Sequence, residues 1–163
     1  MADHQQTYKD VMSKYPTGVT IVTTTGEDGE PVGLTVNSFA SVSIDPLLVL
    51  WSIDDHVNSK NIFANAKGFA VHILAEEQGD LCWTFARKDV DRFASCKWSL
   101  SPNGLPIIEG AKAVLQCDTY QAVPAGDHTV MIGKVIDIEN SDRTPMIYYH
   151  RGIRPMPAEW NKE

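Results

Sequence analysis

Three short stretches carry side chains whose types and spacing could do chemistry. Residues 33–43 read Gly-Leu-Thr-Val-Asn-Ser-Phe-Ala-Ser-Val-Ser, strand formers interleaved with small hydroxyl and amide groups. On an extended chain Thr35 and Asn37 share one face, and Val36 and Ser38 the other. Such a strand offers backbone and small polar groups to a flat, hydrogen-bonding ligand; its plainer reading is a solvent-facing Thr/Asn row. Residues 52–60, Ser-Ile-Asp-Asp-His-Val-Asn-Ser-Lys, run from an apolar strand through a loop into a helix. Asn58 is the expected N-cap. The free N–H groups of a helix start, the Ser59 hydroxyl and the Lys60 ammonium suit a phosphate. A self-capped helix with an exposed lysine is the alternative. The third stretch is Gly126-Asp127-His128. Glycine permits an unusual turn, and a histidine at a strand start can donate a hydrogen bond or accept a proton near neutral pH. Asp127 could instead simply pair with His128 in a hairpin.

A fourth segment, Arg87-Lys88-Asp89-Val90-Asp91-Arg92-Phe93, mixes charges as a solvated loop does. Its functional reading is a lid whose arginines meet a dinucleotide phosphate and whose Phe93 packs near a ring. The five histidines, His4, His56, His72, His128 and His150, show no HxxxH or HxH spacing, so no metal site is expected.

The elements that must position these residues are mostly strands. Gln6 to Lys14 has helical spacing and is stopped by Pro16. Val19 to Thr25 is a β-branched run, joined through the turn residues Gly26 to Gly29 to a partner strand from Pro31 to Asn37. Phe39 to Ile44 follows. Leu47 to Ser52 is apolar at nearly every position, which predicts a central strand buried on both faces. Phe69 to Leu74, Lys112 to Val123, His128 to Glu139 and Met146 to Tyr149 are further strands, with a short edge strand at Lys97 to Ser99. A helix is expected from Asn58 to Ala66 and another over Glu76 to Arg87, with Leu81, Cys82 and Phe85 facing inward. The tail from Ile153, holding Pro155 and Pro157, reads as an irregular arm. Many closely spaced strands with few helices predict an antiparallel barrel. No GxGxxG occurs, so a Rossmann domain is not supported.

Composition narrows the function classes. At 163 residues and 43% hydrophobic content the chain can bury one domain-sized core. No segment approaches the roughly 18 consecutive apolar residues of a bilayer span. The N-terminus lacks a basic, then apolar, export pattern. Cys82, Cys96 and Cys117 are odd in number without CxxC spacing, so a reducing cytoplasm is expected. The formal net charge of −7 disfavours a nucleic-acid partner.

With these residues located, the chain resembles the flavin reductase-like family, which has an FMN-binding split β-barrel and includes the small reductase components of two-component monooxygenases. The resemblance runs from about Tyr15 to Arg151. It rests on Tyr15-Pro16-Thr17-Gly18-Val19, Gly33 to Ser43, Asp45 to Leu50, Phe69-Ala70-Val71, Asp91-Arg92-Phe93, Gly126-Asp127-His128 and Tyr149-His150-Arg151. It implies a mainly β fold, an antiparallel split β-barrel of the FMN-binding type. The barrel would span 15–152, behind an N-terminal helix or arm over 1–14 and before a C-terminal tail over 153–163. The implied activity is an NAD(P)H:flavin oxidoreductase, passing a hydride from NADH or NADPH to FMN, or FAD, and supplying reduced flavin to a monooxygenase.

Under that resemblance Thr35, Val36, Asn37 and Ser38 would contact the flavin ring and ribityl chain. Ser52, Ile53 and Asp54 would lie alongside, Ser59 and Lys60 would hold the phosphate, and Phe93 would pack near the ring. Gly126, Asp127 and His128 would meet the nicotinamide nucleotide, with His128 the catalytic residue. A homodimer is implied, with flavin sites near its interface. The rival from another class is a flavin-binding electron carrier with no NAD(P)H turnover of its own; a heme-binding split barrel is a third reading.

Overall fold

The computed structural model describes residues 2–161. Strands dominate: β1 (Thr17–Gly18), β2 (Thr20–Thr25), β3 (Pro31–Val36), β4 (Ala40–Ile44), β5 (Leu47–Asp54) and β6 (Gly68–Ile73) precede β7 (Trp98–Leu100) and β8 (Pro106–Ile108). β9 (Ala113–Ala125), β10 (His128–Asn140), β11 (Ile147–Tyr149) and β12 (Gly152–Arg154) complete the set. Among the described residues three α-helices punctuate them: α1 (Ala2–Ser13), α2 (Lys60–Asn65) and α3 (Gly79–Ala86).

Seven strands form one antiparallel sheet in the order β3-β2-β6-β9-β10-β5-β4. The long β9–β10 hairpin is its spine. β10 shifts register between Ile132 and Gly133 and again between Val135 and Asp137, and such bulges bend a strand and sharpen its twist. Across the open seam between the two ends of the sheet, the Ser38 hydroxyl accepts from Ser52 N–H at 2.9 Å and donates to the Ser52 carbonyl at 3.3 Å. The chain leaving β3 is thereby laced to β5, which gives a barrel with a split.

Two apolar clusters hold the fold. Inside the barrel Trp51 meets Phe63 and Phe69 edge-to-face, at 5.0 Å and 5.7 Å between ring centroids, among Val22, Val49, Ile53, Val71 and Met131. All three rings are fully buried. Each contributes roughly 2–3 kcal/mol by burial, and each edge-to-face pair adds about 1 kcal/mol. The second cluster lies beneath α3 and joins Ile21, Leu74, Cys82, Phe85, Ile108 and Met146. Cys82, Cys96 and Cys117 are all free thiols; burial pushes Cys82 up to about 11 and Cys117 up to about 12, so neither is a nucleophile at neutral pH.

Several expectations change here. β5 is not buried on both faces: Leu47 is exposed, while Val49, Trp51 and Ile53 are buried in alternation with half-buried neighbours. The strands buried on both faces are β6 and the Thr-rich β2. The hydroxyls of β2 make that possible, since Thr20, Thr23 and Thr24 donate to the carbonyls of Val36, Pro106 and Gly68 at 2.8, 2.6 and 2.7 Å. Strand β8, unassigned from sequence, supplies one of those acceptors. The second helix splits into a 3-10 turn at Glu76–Gln78 followed by α3. The tail is also more regular than expected. Ile153 and Arg154 belong to β12, because a tight turn at His150-Arg151 folds the chain back onto β11.

Candidate active site

The polar residues singled out in the sequence gather where β3 and β5 end and β10 begins. Asn37 and Ser38 are exposed beside Ser52, fixed there by the Ser38 hydroxyl. Thr35 and Val36 contribute differently from expectation. The Thr35 hydroxyl is donated to the Cys82 carbonyl at 2.6 Å, and Val36 is buried in the barrel core. Only their backbone is left for a ligand. Ile53 likewise points its side chain into the core, at 1% exposure, while Ser52 and Asp54 on either side are half-buried. The result is an open shelf with small polar groups above and an apolar barrel below.

Strand pairing sets the rest. His128 lies opposite Asp54 in the β5–β10 register. The turn joining β9 to β10 is Gly126-Asp127, with Gly126 at φ +67°, a left-handed conformation that glycine adopts without penalty. The Asp127 carboxylate accepts from His128 Nδ1–H at 2.7 Å, leaving Nε2 with no protein partner among the described residues. That hydrogen bond holds the Asp127 carboxyl below the usual carboxylate range. Asp54 is held low in the same way, first by the backbone N–H of His56 at 2.8 Å and then by the His56 ring at 3.0 Å. Two carboxylate–imidazole pairs therefore stand side by side across two paired strands.

Ser59 and Lys60 adjoin this group. Helix α2 begins at Lys60 with Ser59 in the cap position and no side-chain cap bond, so Asn58 is not the N-cap. The cause is geometric: residues 55–59 are spent on successive turns, with Val57 N–H bonded to Asp54 and Lys60 N–H to Val57. The Ser59 hydroxyl is buried and has no hydrogen-bond partner among the described residues. A buried hydroxyl left unpaired carries a cost of about 1–3 kcal/mol, which a phosphate oxygen would relieve. Lys60 Nζ stands 3.7 Å from Asp55 Oδ1. Asp55, which the sequence reading passed over, also accepts from Thr129 and donates its N–H to the Asp127 carbonyl. The signal for it was the acidic doublet Asp54-Asp55 five residues before a lysine.

The charged loop packs back against β3. Phe93 is wedged between Phe85 and Trp98, with centroids 5.1 and 5.4 Å away. Arg92 donates to the Gly33 carbonyl at 2.6 Å and to the Arg87 carbonyl at 3.1 and 2.5 Å. The guanidinium clamps the loop instead of waiting for a phosphate. Gly33 permits this packing: a Cβ there would lie 2.9 Å from a Phe85 ring carbon. A groove of about 820 Å³ runs along the flank of α2 and is lined by none of the predicted site residues. No cluster of His, Cys, Asp and Glu suited to a metal occurs among the described residues.

The chain is thus an antiparallel split barrel with a polar shelf at its seam and a Gly-Asp-His turn beside it. Residues 12–157 match the model of the flavin reductase like domain, and the chain belongs to that family. It is 46% identical over 93% of its length to the reductase component of a flavin-dependent trigonelline monooxygenase of Acinetobacter baylyi, of which it spans 48%. It is 38% identical over 90% of its length to a flavin reductase of Pseudomonas putida, of which it spans 86%. Among solved structures, a Streptomyces globisporus NADH:FAD oxidoreductase in complex with NAD and FAD fragments superposes with a TM-score of 0.91. That pair is 33% identical and the match covers 98% of this chain and 96% of the other. The fold is thus the split-barrel type of these reductases.

Proposed function

We propose that the protein is an NAD(P)H:flavin oxidoreductase that passes a hydride from NADH or NADPH to FMN or FAD and supplies the reduced flavin to a partner monooxygenase. One observation carries the reading. The Asn37–Ser38 shelf is bonded to β5 at Ser52, and just past the end of that strand Asp55 bonds the Gly126–His128 turn and faces Lys60, beside the unpartnered Ser59 hydroxyl. Relatives named as reductases of FMN or FAD with NADH support it.

A bound flavin supplies the hydride acceptor and the redox chemistry. The chain's own part is to hold two flat rings in register, which is chiefly a proximity effect. Asn37, Ser38 and the exposed backbone of Thr35 and Val36 bind a ring edge and ribityl hydroxyls. Ser52 and Asp54 flank it. The Ser59 hydroxyl donates to a phosphate oxygen and Lys60 neutralises its charge. Asp127 orients His128 through Nδ1, so that Nε2 positions the nicotinamide nucleotide. Phe93 acts only at a distance, by packing under Gly33. The shelf is open and offers no covalent anchor, which suits a flavin that exchanges.

This reading places the barrel over 15–152, between an N-terminal arm and a C-terminal tail, and includes a homodimer in the cytoplasm. Exposed Val42, Ile44 and Leu47 at the β4–β5 edge and Tyr8, Val11 and Met12 on α1 supply apolar surface for a second copy. No helix among the described residues is long and apolar enough to cross a membrane. The test is NADH consumption by purified protein with and without FMN. FMN-dependent consumption is expected. Bound flavin without consumption would favour the electron-carrier reading and leave the Gly126–His128 turn without a role.

A further inference from the structure

Asp55 touches three parts of the site at once. Its backbone N–H donates to the Asp127 carbonyl at 3.0 Å. Its carboxylate accepts from the Thr129 hydroxyl at 2.8 Å and lies 3.7 Å from Lys60 Nζ. Asp127 and Thr129 are the neighbours of His128, so Asp55 grips the chain on both sides of that histidine. Thr129 is only 5% exposed, and a buried hydroxyl needs a partner; Asp55 is the acceptor it has. The turn itself is permissive, since Gly126 carries no side chain to confine it. The β9–β10 ladder fixes the backbone at His128, and Asp55 adds contacts from outside the hairpin.

We propose that the Asp55 carboxylate is a positioning group: it sets His128 against the nicotinamide site through Thr129, and it holds Lys60 by charge until a flavin phosphate takes the lysine over. The identity of the two ligands rests on the flavin reductase reading. The two halves of the role use different properties of one carboxyl group. Holding Thr129 requires an acceptor oxygen, which an asparagine amide also has. Holding Lys60 requires the negative charge, which asparagine lacks. Asp55→Ala removes both and Asp55→Asn removes only the second.

With FMN saturating, Asp55→Ala is expected to lower kcat/KM for NADH about tenfold, the size of one well-placed hydrogen bond. Asp55→Asn should recover it to within about twofold. Both variants should bind FMN about two- to threefold more tightly, because a partly exposed lysine no longer has a competing carboxylate. The His128 imidazole resonances, followed by NMR in the ligand-free protein, should move in Asp55→Ala and return in Asp55→Asn. Equal impairment of the two variants, or unmoved resonances in Asp55→Ala, would overturn the positioning of His128. Unchanged FMN affinity in both would overturn the hold on Lys60. Absence of NADH turnover in the unaltered protein would instead strike the reductase reading, and the resonances would still decide the role of Asp55.

Discussion

His72 and His128 are one side chain in two settings. His72 sits in β6 with no exposure at all. Its Nδ1–H donates to the Ile21 carbonyl at 3.0 Å and its Nε2 accepts from Ile108 N–H at 3.0 Å. Both nitrogens are used, one as donor and one as acceptor, which requires the neutral ring. Burial pushes its pKa down from 6.5 to about 4. His128 stands at the mouth of a hairpin, with a side chain 43% exposed and only Nδ1 engaged. The first histidine is a strut between β2 and β8, and the second keeps a nitrogen for a ligand. The difference teaches that an available nitrogen, not the residue type, marks the functional histidine.

The comparison breaks most readily at the strut. His72→Leu strands the Ile108 N–H in the core, and a buried unpaired group costs about 1–3 kcal/mol; the Ile21 carbonyl keeps its place in the β2–β6 ladder. A loss of about 1–3 kcal/mol in urea unfolding is expected; a loss well below about 1 kcal/mol would show that the bond from His72 to Ile108 holds nothing.

Acid should act through the same residue. Between pH 6.5 and about 4 the unfolded chain carries a proton on His72 that the folded chain refuses. The unfolded state then binds more protons, so stability rises with pH in that window. The contribution is complete above about 6.5, is lost as pH falls, and saturates below about 4. At about 1.4 kcal/mol for each pH unit the full loss is about 3 kcal/mol. Unfolding curves across this range check it, and a flat profile would mean that His72 is protonated in the fold.

His128→Ala tests the other side of the comparison. Hydride transfer followed by stopped-flow should slow about 10- to 100-fold, in the range of a positioned polar group, with flavin affinity nearly intact. Unfolding free energy should change by no more than about 0.5 kcal/mol, as for an exposed position. Unchanged flavin reduction would remove His128 from the site. The smallest effect belongs to Gly126→Ala. A Cβ there meets nothing within 4 Å, so only the left-handed backbone resists it, at a cost of about 1 kcal/mol. Loss of thermal stability well beyond that would show that the turn is more constrained than its surroundings imply.

Much of the barrel was legible because its signals are local. The β-branched run of β2, the turn residues Gly26 to Gly29 and the Gly-Asp hairpin between β9 and β10 announce themselves by residue type. Errors fell where burial is decided by a distant strand. Leu47 to Ser52 looks like an interior strand, yet β4 covers only its edge and Leu47 faces outward. Thr20 to Thr25 looks half polar, yet it is an interior strand, because Pro106, Gly68 and Val36 bring carbonyls to its hydroxyls. Phe93 follows the same rule. Its neighbours Phe85 and Trp98 come from other elements, and they draw the ring into a core.

For the site, the sequence by itself determined the chemical inventory: a strand edge with small polar groups, a serine–lysine pair and a Gly-Asp-His turn, each readable from adjacent residues. Tertiary structure alone decided which members remain available to a ligand. It spends the Thr35 hydroxyl on Cys82, sinks Val36 and Ile53 into the barrel, ties Arg92 to carbonyls, and leaves Ser59 Oγ and His128 Nε2 without partners among the described residues. It also introduced Asp55, whose partners lie five, 72 and 74 residues away. The physical reason is that hydrogen bonds are exclusive. A donor or acceptor is free for function only if no other part of the fold has claimed it, and those claims are made across strands that the sequence keeps far apart.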